Sequence, residues 1–172
     1  MASLLNIDDS QVRKDISFLN NSGKCRVGYL VKELKEAIEK TLGFAKPKNA
    51  IIIGAGNLGM ALAKYDDFSR YGLNVLALFD NDLKKINTIV NGKTIYSVSD
   101  LSSIINTMSI DMAILTVPRA YAQKTADILV KDNIKYIWNF SPTVLDVPAD
   151  VQVWNENLMG NFLQFSFKMQ DN

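Results

Sequence analysis

Residues 50–59 read Ala-Ile-Ile-Ile-Gly-Ala-Gly-Asn-Leu-Gly, and this stretch constrains the fold more than any other in the chain. Ala50 to Ile53 is the β-branched run of a buried strand. Leu58, Ala61, Leu62 and Tyr65 then recur at i, i+3, i+4 and i+7, the spacing of one helix face. Between them lies G-x-G-x-x-G, with a separate job for each glycine. Gly54 permits a tight turn, Gly56 lets the backbone approach a pyrophosphate, and Gly59 lets helix and strand pack closely. A strand, this turn and a helix in direct succession predict a parallel sheet covered by helices.

The following residues repeat the alternation. Asn74 to Phe79, Thr94 to Val98, Met112 to Val117, Lys135 to Trp138 and Val151 to Trp154 read as strands. Ser99 or Asp100 is expected to cap one intervening helix, and Pro118 to open another that runs through Val130. Continuous apolar runs joined by helices mark a sheet buried on both faces. The fold class expected is therefore α/β, an NAD(P)-binding Rossmann-like doubly wound parallel sheet.

Asp80 ends the second strand, 24 residues after Gly56. A carboxylate there accepts hydrogen bonds from adenine-ribose hydroxyls and repels a 2′-phosphate, which favours NAD(H) over NADP(H). The loop of Gly54, Ala55, Gly56, Asn57, Leu58 and Gly59 would hold the phosphates on amides at the helix N-terminus. Two further loops fall at carboxyl ends of strands, Thr116-Val117-Pro118-Arg119 and Asn139-Phe140-Ser141-Pro142. Both are candidates for the nicotinamide side, and both equally suit plain loop punctuation. Tyr65 and Arg119 are the ionisable residues placed near the cofactor, and Tyr65, on an apolar stripe, reads as packing or a hydrogen-bond donor.

The chain has no histidine and one cysteine. Without histidine there is no Ser-His-Asp triad, Cys-His dyad or HExxH zinc site, and no metal is expected. A dehydrogenase needs an acid–base group and usually a substrate domain, for which little chain remains. One cysteine forms no internal disulfide, so a reducing cytoplasm is expected. No run approaches the roughly 20 apolar residues of a membrane span, and Met1 to Ser10 lacks the basic and apolar regions of a signal peptide.

The first 48 residues differ from the body in charge. They carry nine Lys/Arg against six Asp/Glu, a net +3, whereas residues 49–172 carry ten against twelve, a net −2. Ser10 to Lys32 alone holds Arg13, Lys14, Lys24, Arg26 and Lys32 against Asp15. A compact basic segment is the footprint of phosphate contact, and it is also what an incidental solvated surface looks like. Asp8 is placed to cap a helix with Gln11 completing a capping box. Val12, Ile16 and Leu19 form its apolar face, and Arg13, Lys14 and Ser17 lie off that face. Val31, Leu34, Ile38 and Leu42 mark a second helix stopped by Gly43, and Ala45 to Lys48 reads as a linker. At the other end, Leu158, Phe162, Phe165 and Met169 form a helical stripe flanked by Leu163 and Phe167, apolar enough to require cover.

Taken together, Gln11-Val12-Arg13-Lys14-Asp15-Ile16-Ser17, Arg26-Val27-Gly28-Tyr29, Gly54–Gly59, Phe79-Asp80-Asn81-Asp82, Thr116-Val117-Pro118 and Asn139-Phe140-Ser141-Pro142 resemble the Rex redox-sensing transcriptional repressors, in order and over nearly the whole chain. The resemblance implies a partial winged-helix DNA-binding domain and linker over 1–48, a Rossmann NAD(H)-binding domain over 49–155, and a swapped helix over 156–172. It implies a homodimer joined through that helix, which binds operator DNA when NADH is low and releases it on binding NADH. Ser10, Gln11, Arg13 and Lys14 would sit on the recognition helix, with Lys24 and Arg26 in the wing. Tyr65 would lie near the nicotinamide, alongside Thr116, Val117, Pro118 and Asn139. Family members usually carry further winged-domain residues ahead of the position of Met1. That absence is expected to leave Val12, Ile16 and Leu19 partly exposed. The family also usually has an aspartate where this chain has Asn157. Two other readings compete. One is a coenzyme A-binding Rossmann module of the succinyl-CoA synthetase type, which leaves the helix of Gln11-Val12-Arg13-Lys14-Asp15 unexplained. The other is a small NAD-dependent oxidoreductase.

Overall fold

The computed structural model describes residues 6–19, 29–43 and 45–169. The chain divides between Pro47 and Lys48 into two compact units. The first contains α1 (Asp9–Ser17) and α2 (Val31–Thr41). Asp8 caps α1, its Oδ1 accepting from the Ser10 amide at 2.7 Å. The Ser10 hydroxyl first, and then the Ser10 amide, hold the Asp8 carboxyl below its usual pKa, so their stabilising effect is present at neutral pH and lost on acidification. The expected capping box does not close. Gln11 instead donates from Nε2 to Asp15 Oδ1 at 2.8 Å, because the i+4 neighbour lies on its own face of the helix. Ile16 is buried, contrary to the expectation of partial exposure, while Val12 and Leu19 are half-buried. In α2 the apolar face narrows to Leu34 and Ile38, and Val31 at the first position is 81% exposed. Gly43 stops the helix at φ +81, a backbone region that costs glycine least.

The second unit is built on seven strands: β1 (Lys48–Ile53), β2 (Leu73–Asp80), β3 (Ile89–Val90), β4 (Lys93–Ser97), β5 (Met112–Leu115), β6 (Tyr136–Asn139) and β7 (Gln152–Asn155). They lie in the order β3-β4-β2-β1-β5-β6-β7. All pairs are parallel except β3–β4, a short antiparallel hairpin that strand periodicity does not announce. The order reverses beside β1, so the carboxyl ends of β1 and β5 flank the switch point where ligands of such sheets bind. Between β1 and β2 the register shifts at Ala50/Ile51, which leaves Leu76 without a partner and exposed.

One sheet face packs Ile51, Ile53, Ala77, Phe79, Ala113 and Leu115 under α5 (Leu101–Thr107) and α6 (Arg119–Lys131). In α6 the buried residues are Ala122, Thr125, Ala126 and Leu129, an i, i+3, i+4, i+7 stripe whose small members admit close approach. The 3-10 turn before α5 is capped by Ser97, whose Oγ accepts from the Ser99 amide at 3.2 Å, and Asp100 takes the N-cap position of α5, as expected, without a side-chain hydrogen bond. The opposite face packs Ala50, Ile52, Leu78, Ile95 and Ile114 under α3 (Asn57–Ala63) and the one-turn α4 (Asp67–Arg70). The stripe expected to bury α3 is not the buried one. Leu58, Ala61 and Tyr65 are exposed, and the helix seats on Gly59 and Ala63 with Met60 and Leu62 beside them.

The chain ends in α7 (Leu158–Lys168), capped by Asn157, whose Oδ1 accepts from the Gly160 amide at 2.8 Å. Each of the large apolar side chains Leu158, Met159, Phe162, Leu163, Phe165, Phe167 and Met169 is more than half exposed. Among the described residues no helix is long and apolar enough to cross a membrane.

Leu129 is fully buried between α6 and the sheet. Leu129→Ala is expected to lower the stability of the body by about 2–5 kcal/mol in urea denaturation, as transfer loss and residual cavity add. A change under about 1 kcal/mol would show that α6 does not seal this face.

Candidate functional site

Three adjacent strands build the site. β1 ends at Ile53, and Gly54 turns the chain at φ +104, with its amide held by the Phe79 carbonyl of β2 at 2.8 Å. Thr116, just past β5, donates from Oγ1 to the Gly54 carbonyl at 2.7 Å and approaches the Ile53 carbonyl at 3.1 Å. There is no room for side chains here. A Cβ on Gly54 would lie 2.6 Å from the Thr116 carbonyl oxygen, and one on Gly59 would lie 1.9 Å from the Gly54 carbonyl oxygen.

Gly56 is different. Its φ of −76 suits any residue, and a Cβ there would meet nothing within 4 Å. Neither backbone conformation nor packing within the chain requires glycine at this position. The space kept clear opens onto a cavity of about 850 Å³ lined by Gly54, Gly56, Asp80, Thr116, Val117 and Pro118, among others.

Asp80 reaches into this region from the end of β2. Its Oδ2 accepts from the Ala55 amide at 2.8 Å, and its Oδ1 accepts from the Asp82 amide at 2.8 Å. Lys85 approaches Oδ2 at 3.4 Å. The carboxylate therefore fixes the glycine loop as well as facing the cavity.

The cavity thus gathers six of the expected residues. Ala55 and Gly59 are buried, Gly59 on the side of α3 that meets the Gly54 turn, and Asn57 and Leu58 are exposed on the first turn of α3. Tyr65 and Asn139 are not among its lining residues. Tyr65 is 55% exposed and packs edge-on against Phe68, at 5.0 Å between ring centroids. Asn139 is fully buried. Its Nδ2 donates to the Thr143 carbonyl and to Asn155 Oδ1, and its Oδ1 accepts from the Ser141 amide, so the side chain ties β6, β7 and the loop between them. Arg119 donates from Nε to the Pro142 carbonyl at 2.8 Å, joining the two loops that follow β5 and β6.

Several lining residues were not anticipated. Val98 and Ser99 follow β4, and the rule that ligands gather at carboxyl ends of strands points to them. Tyr121, Lys124, Thr125 and Ile128 share one face of α6 at helical spacing. Lys85 carries no local signal in the sequence. Among the described residues no cluster of metal-ligating side chains occurs.

In the first unit, Ser10, Gln11, Arg13 and Lys14 are all exposed on α1. Arg13 Nε makes only a long contact, 3.4 Å, with the Asp9 carbonyl. Lys24 and Arg26 lie outside the described residues.

Residues 45–143 match the CoA binding domain family, so the body of the chain is a domain of that family. The redox-sensing transcriptional repressor Rex of Clostridium botulinum strain Hall is 46% identical over 154 residues, 90% of this chain and 73% of that protein. The Rex of Treponema denticola is 40% identical over 169 residues, 98% of this chain and 80% of its own. The chain belongs to the Rex family of redox-sensing transcriptional repressors. Two solved structures of RSP, a Rex-family repressor, extend the likeness to three dimensions. RSP in complex with β-NAD⁺ and operator DNA superposes with a TM-score of 0.89 at 36% identity, covering 99% of this chain and 78% of RSP. RSP in complex with β-NADH superposes with a TM-score of 0.82 at 35% identity, covering 99% and 79%. The Rex likeness includes α1 and α2, which the CoA binding domain family does not reach.

Gly59→Ala is expected to destabilise the body by about 1–3 kcal/mol or more, because backbone and not a mobile side chain meets the new methyl. Gly56→Ala, which meets nothing, should leave the melting temperature nearly unchanged while weakening any ligand of the loop. Equal melting temperatures for the two variants would show that α3 does not rest on Gly54.

Proposed function

We propose that this chain is a redox-sensing repressor. It binds operator DNA when NADH is low and releases the DNA when NADH fills the cavity beside Gly56. The observation that carries the reading is Gly56 itself. Glycine is needed there only if something outside the chain comes close, and a pyrophosphate on the adjoining helix amides is what this turn admits. RSP, solved with β-NAD⁺ and with β-NADH, supports the same ligand.

In this reading Gly54–Gly59 hold the pyrophosphate and Asp80 receives the adenine ribose. Thr116, Val117 and Pro118 line the nicotinamide side, with Tyr65 and Asn139 bordering it. The ligand supplies the signal, since the nicotinamide ring is cationic when oxidised and neutral when reduced. The protein's part is to bind and orient. Among the described residues that line the cavity Asp80 is the one carboxylate, and its oxygens are held by two backbone amides, which suits a site that reads a dinucleotide. CoA binding of the succinyl-CoA synthetase type is not favoured, because it leaves α1 without a role.

The division is a partial winged-helix domain over 1–48, an NAD(H) domain over 49–155 and a swap helix over 156–172. α7 exposes an apolar face, and so does the uncovered sheet surface of Met112, Tyr136, Trp138 and Trp154, a groove of about 680 Å³. Surfaces of that kind are buried when two copies of a chain exchange a helix. On α1, Arg13 reads a guanine edge, and Ser10, Gln11 and Lys14 contact base edges and backbone, with Lys24 and Arg26 on phosphates. The working compartment is the cytoplasm.

Calorimetry is expected to show tighter binding of NADH than of NAD⁺, and equal affinities would remove the sensing role. A thermal shift larger with CoA than with NADH would return the competing reading. On operator DNA, Arg13→Ala is expected to cost about 1–3 kcal/mol, while affinity for unrelated sequences falls far less. An unchanged operator affinity would make α1 a structural helix.

A further inference from the structure

We infer that Lys85 sets how sharply the cavity discriminates between dinucleotides with and without a 2′-phosphate. The inference rests on the NAD(H) reading above and adds a second residue to the selectivity otherwise assigned to Asp80 alone.

The basis is an accounting of the Asp80 carboxylate. A carboxylate offers about four lone-pair sites, two on each oxygen. Oδ2 accepts from the Ala55 amide at 2.8 Å and from Lys85 Nζ at 3.4 Å, and Oδ1 accepts from the Asp82 amide at 2.8 Å. Three sites are in use, and one remains on Oδ1. The Ala55 and Asp82 donors are backbone amides, placed by the glycine loop and by the turn after β2. Lys85 is the one partner on a flexible stem, and its side chain is 34% exposed against 16% for Asp80. A ribose diol that takes two lone pairs must therefore displace the Lys85 ammonium, whereas a 2′-phosphate finds that ammonium waiting.

Charge points the same way. Lys85 lies 3.4 Å from Asp80 and 3.8 Å from Asp82, so it offsets two carboxylates at this edge of the cavity. It also lines the cavity, together with Asp80 and Asn81. Its backbone is pinned: the Lys85 amide donates to the Asp82 carbonyl at 2.9 Å, and its own carbonyl accepts from Thr88 Oγ1 at 2.6 Å. The ammonium is thereby restricted to the neighbourhood of the ribose position. Without it, the Asp80 carboxylate would face a 2′-phosphate with no cation in contact with it.

The test is titration calorimetry of the full chain with NADH and NADPH, for the unaltered protein, Lys85→Met and Lys85→Arg, with melting curves confirming that each is folded. Lys85→Met is expected to raise the NADPH-to-NADH Kd ratio about fivefold or more at low salt, and less at high salt. Lys85→Arg, which keeps the charge, is expected to hold the ratio of the unaltered protein. A ratio unmoved by Lys85→Met, or equal weakening of both ligands, overturns the role of Lys85 while the NAD(H) reading stands. Failure of the unaltered chain to bind NADH overturns both.

Discussion

The contact on which the structure depends is the one between the backbones of Gly54 and Gly59, with Thr116 set against both. A helix can follow a strand this tightly only where neither carries a side chain at the crossing. A Cβ at Gly59 would fall inside the Gly54 carbonyl, and one at Gly54 would strike the Thr116 carbonyl. Three consequences follow from this one point. α3 is seated on the sheet by Gly59 and Ala63. Thr116 Oγ1, bonded to Gly54, draws the end of β5 against the end of β1. The Ala55 amide is left facing β2, where Asp80 accepts from it. The ends of β2, β1 and β5 are thereby locked in one place, and the cavity opens beside them.

Polar groups in the cavity and in the loops beside it are likewise held in place. Asp80 is bonded to two amides, Thr116 to a carbonyl, Arg119 to the Pro142 carbonyl and Asn139 to three partners. A site preorganised in this way suits recognition of a ligand's shape and charge. At the far end of the sheet, Trp138 and Trp154 both donate from their indole nitrogens to Glu156 Oε1, at 2.8 and 3.1 Å. That shared acceptor fixes the chain as it leaves β7, one residue before Asn157 caps α7. Where the Rex family usually places an aspartate, the amide of Asn157 still provides an N-cap oxygen without a charge.

Much of the fold was legible because strands and the glycine turn have strong local signals. Ile51-Ile52-Ile53, Val75 to Phe79 and Ala113 to Leu115 are apolar on both faces, which only a covered parallel sheet requires. The face of α3 was misread for a physical reason. Hydrophobic periodicity follows large side chains, whereas this helix seats on Gly59 and Ala63, chosen for their small size. Asp100 stands at the N-cap of α5 as expected, but the 3-10 turn ahead of it, capped by Ser97, has no distinct spacing to announce it. Asn139 ends β6 at the start of the loop expected of it, but its partners Thr143 and Asn155 lie further along that loop and on β7, so its commitment to holding β6 and β7 together was invisible beforehand.

By itself the sequence determined the α/β class, the glycine turn, the acid that ends the second strand and the separate N-terminal helix, because each is set by local spacing and residue type. The tertiary structure alone decided which side of α3 is buried and which of the expected site residues meet in one cavity. It also decided that Lys85 sits on Asp80, and that α7 carries an apolar face the single chain leaves open. Apart from the Lys85–Asp80 contact, which spans five residues of one turn, these are contacts between segments far apart in the chain or matters of exposed area. They depend on how strands are ordered and how closely helices approach, which local spacing does not encode.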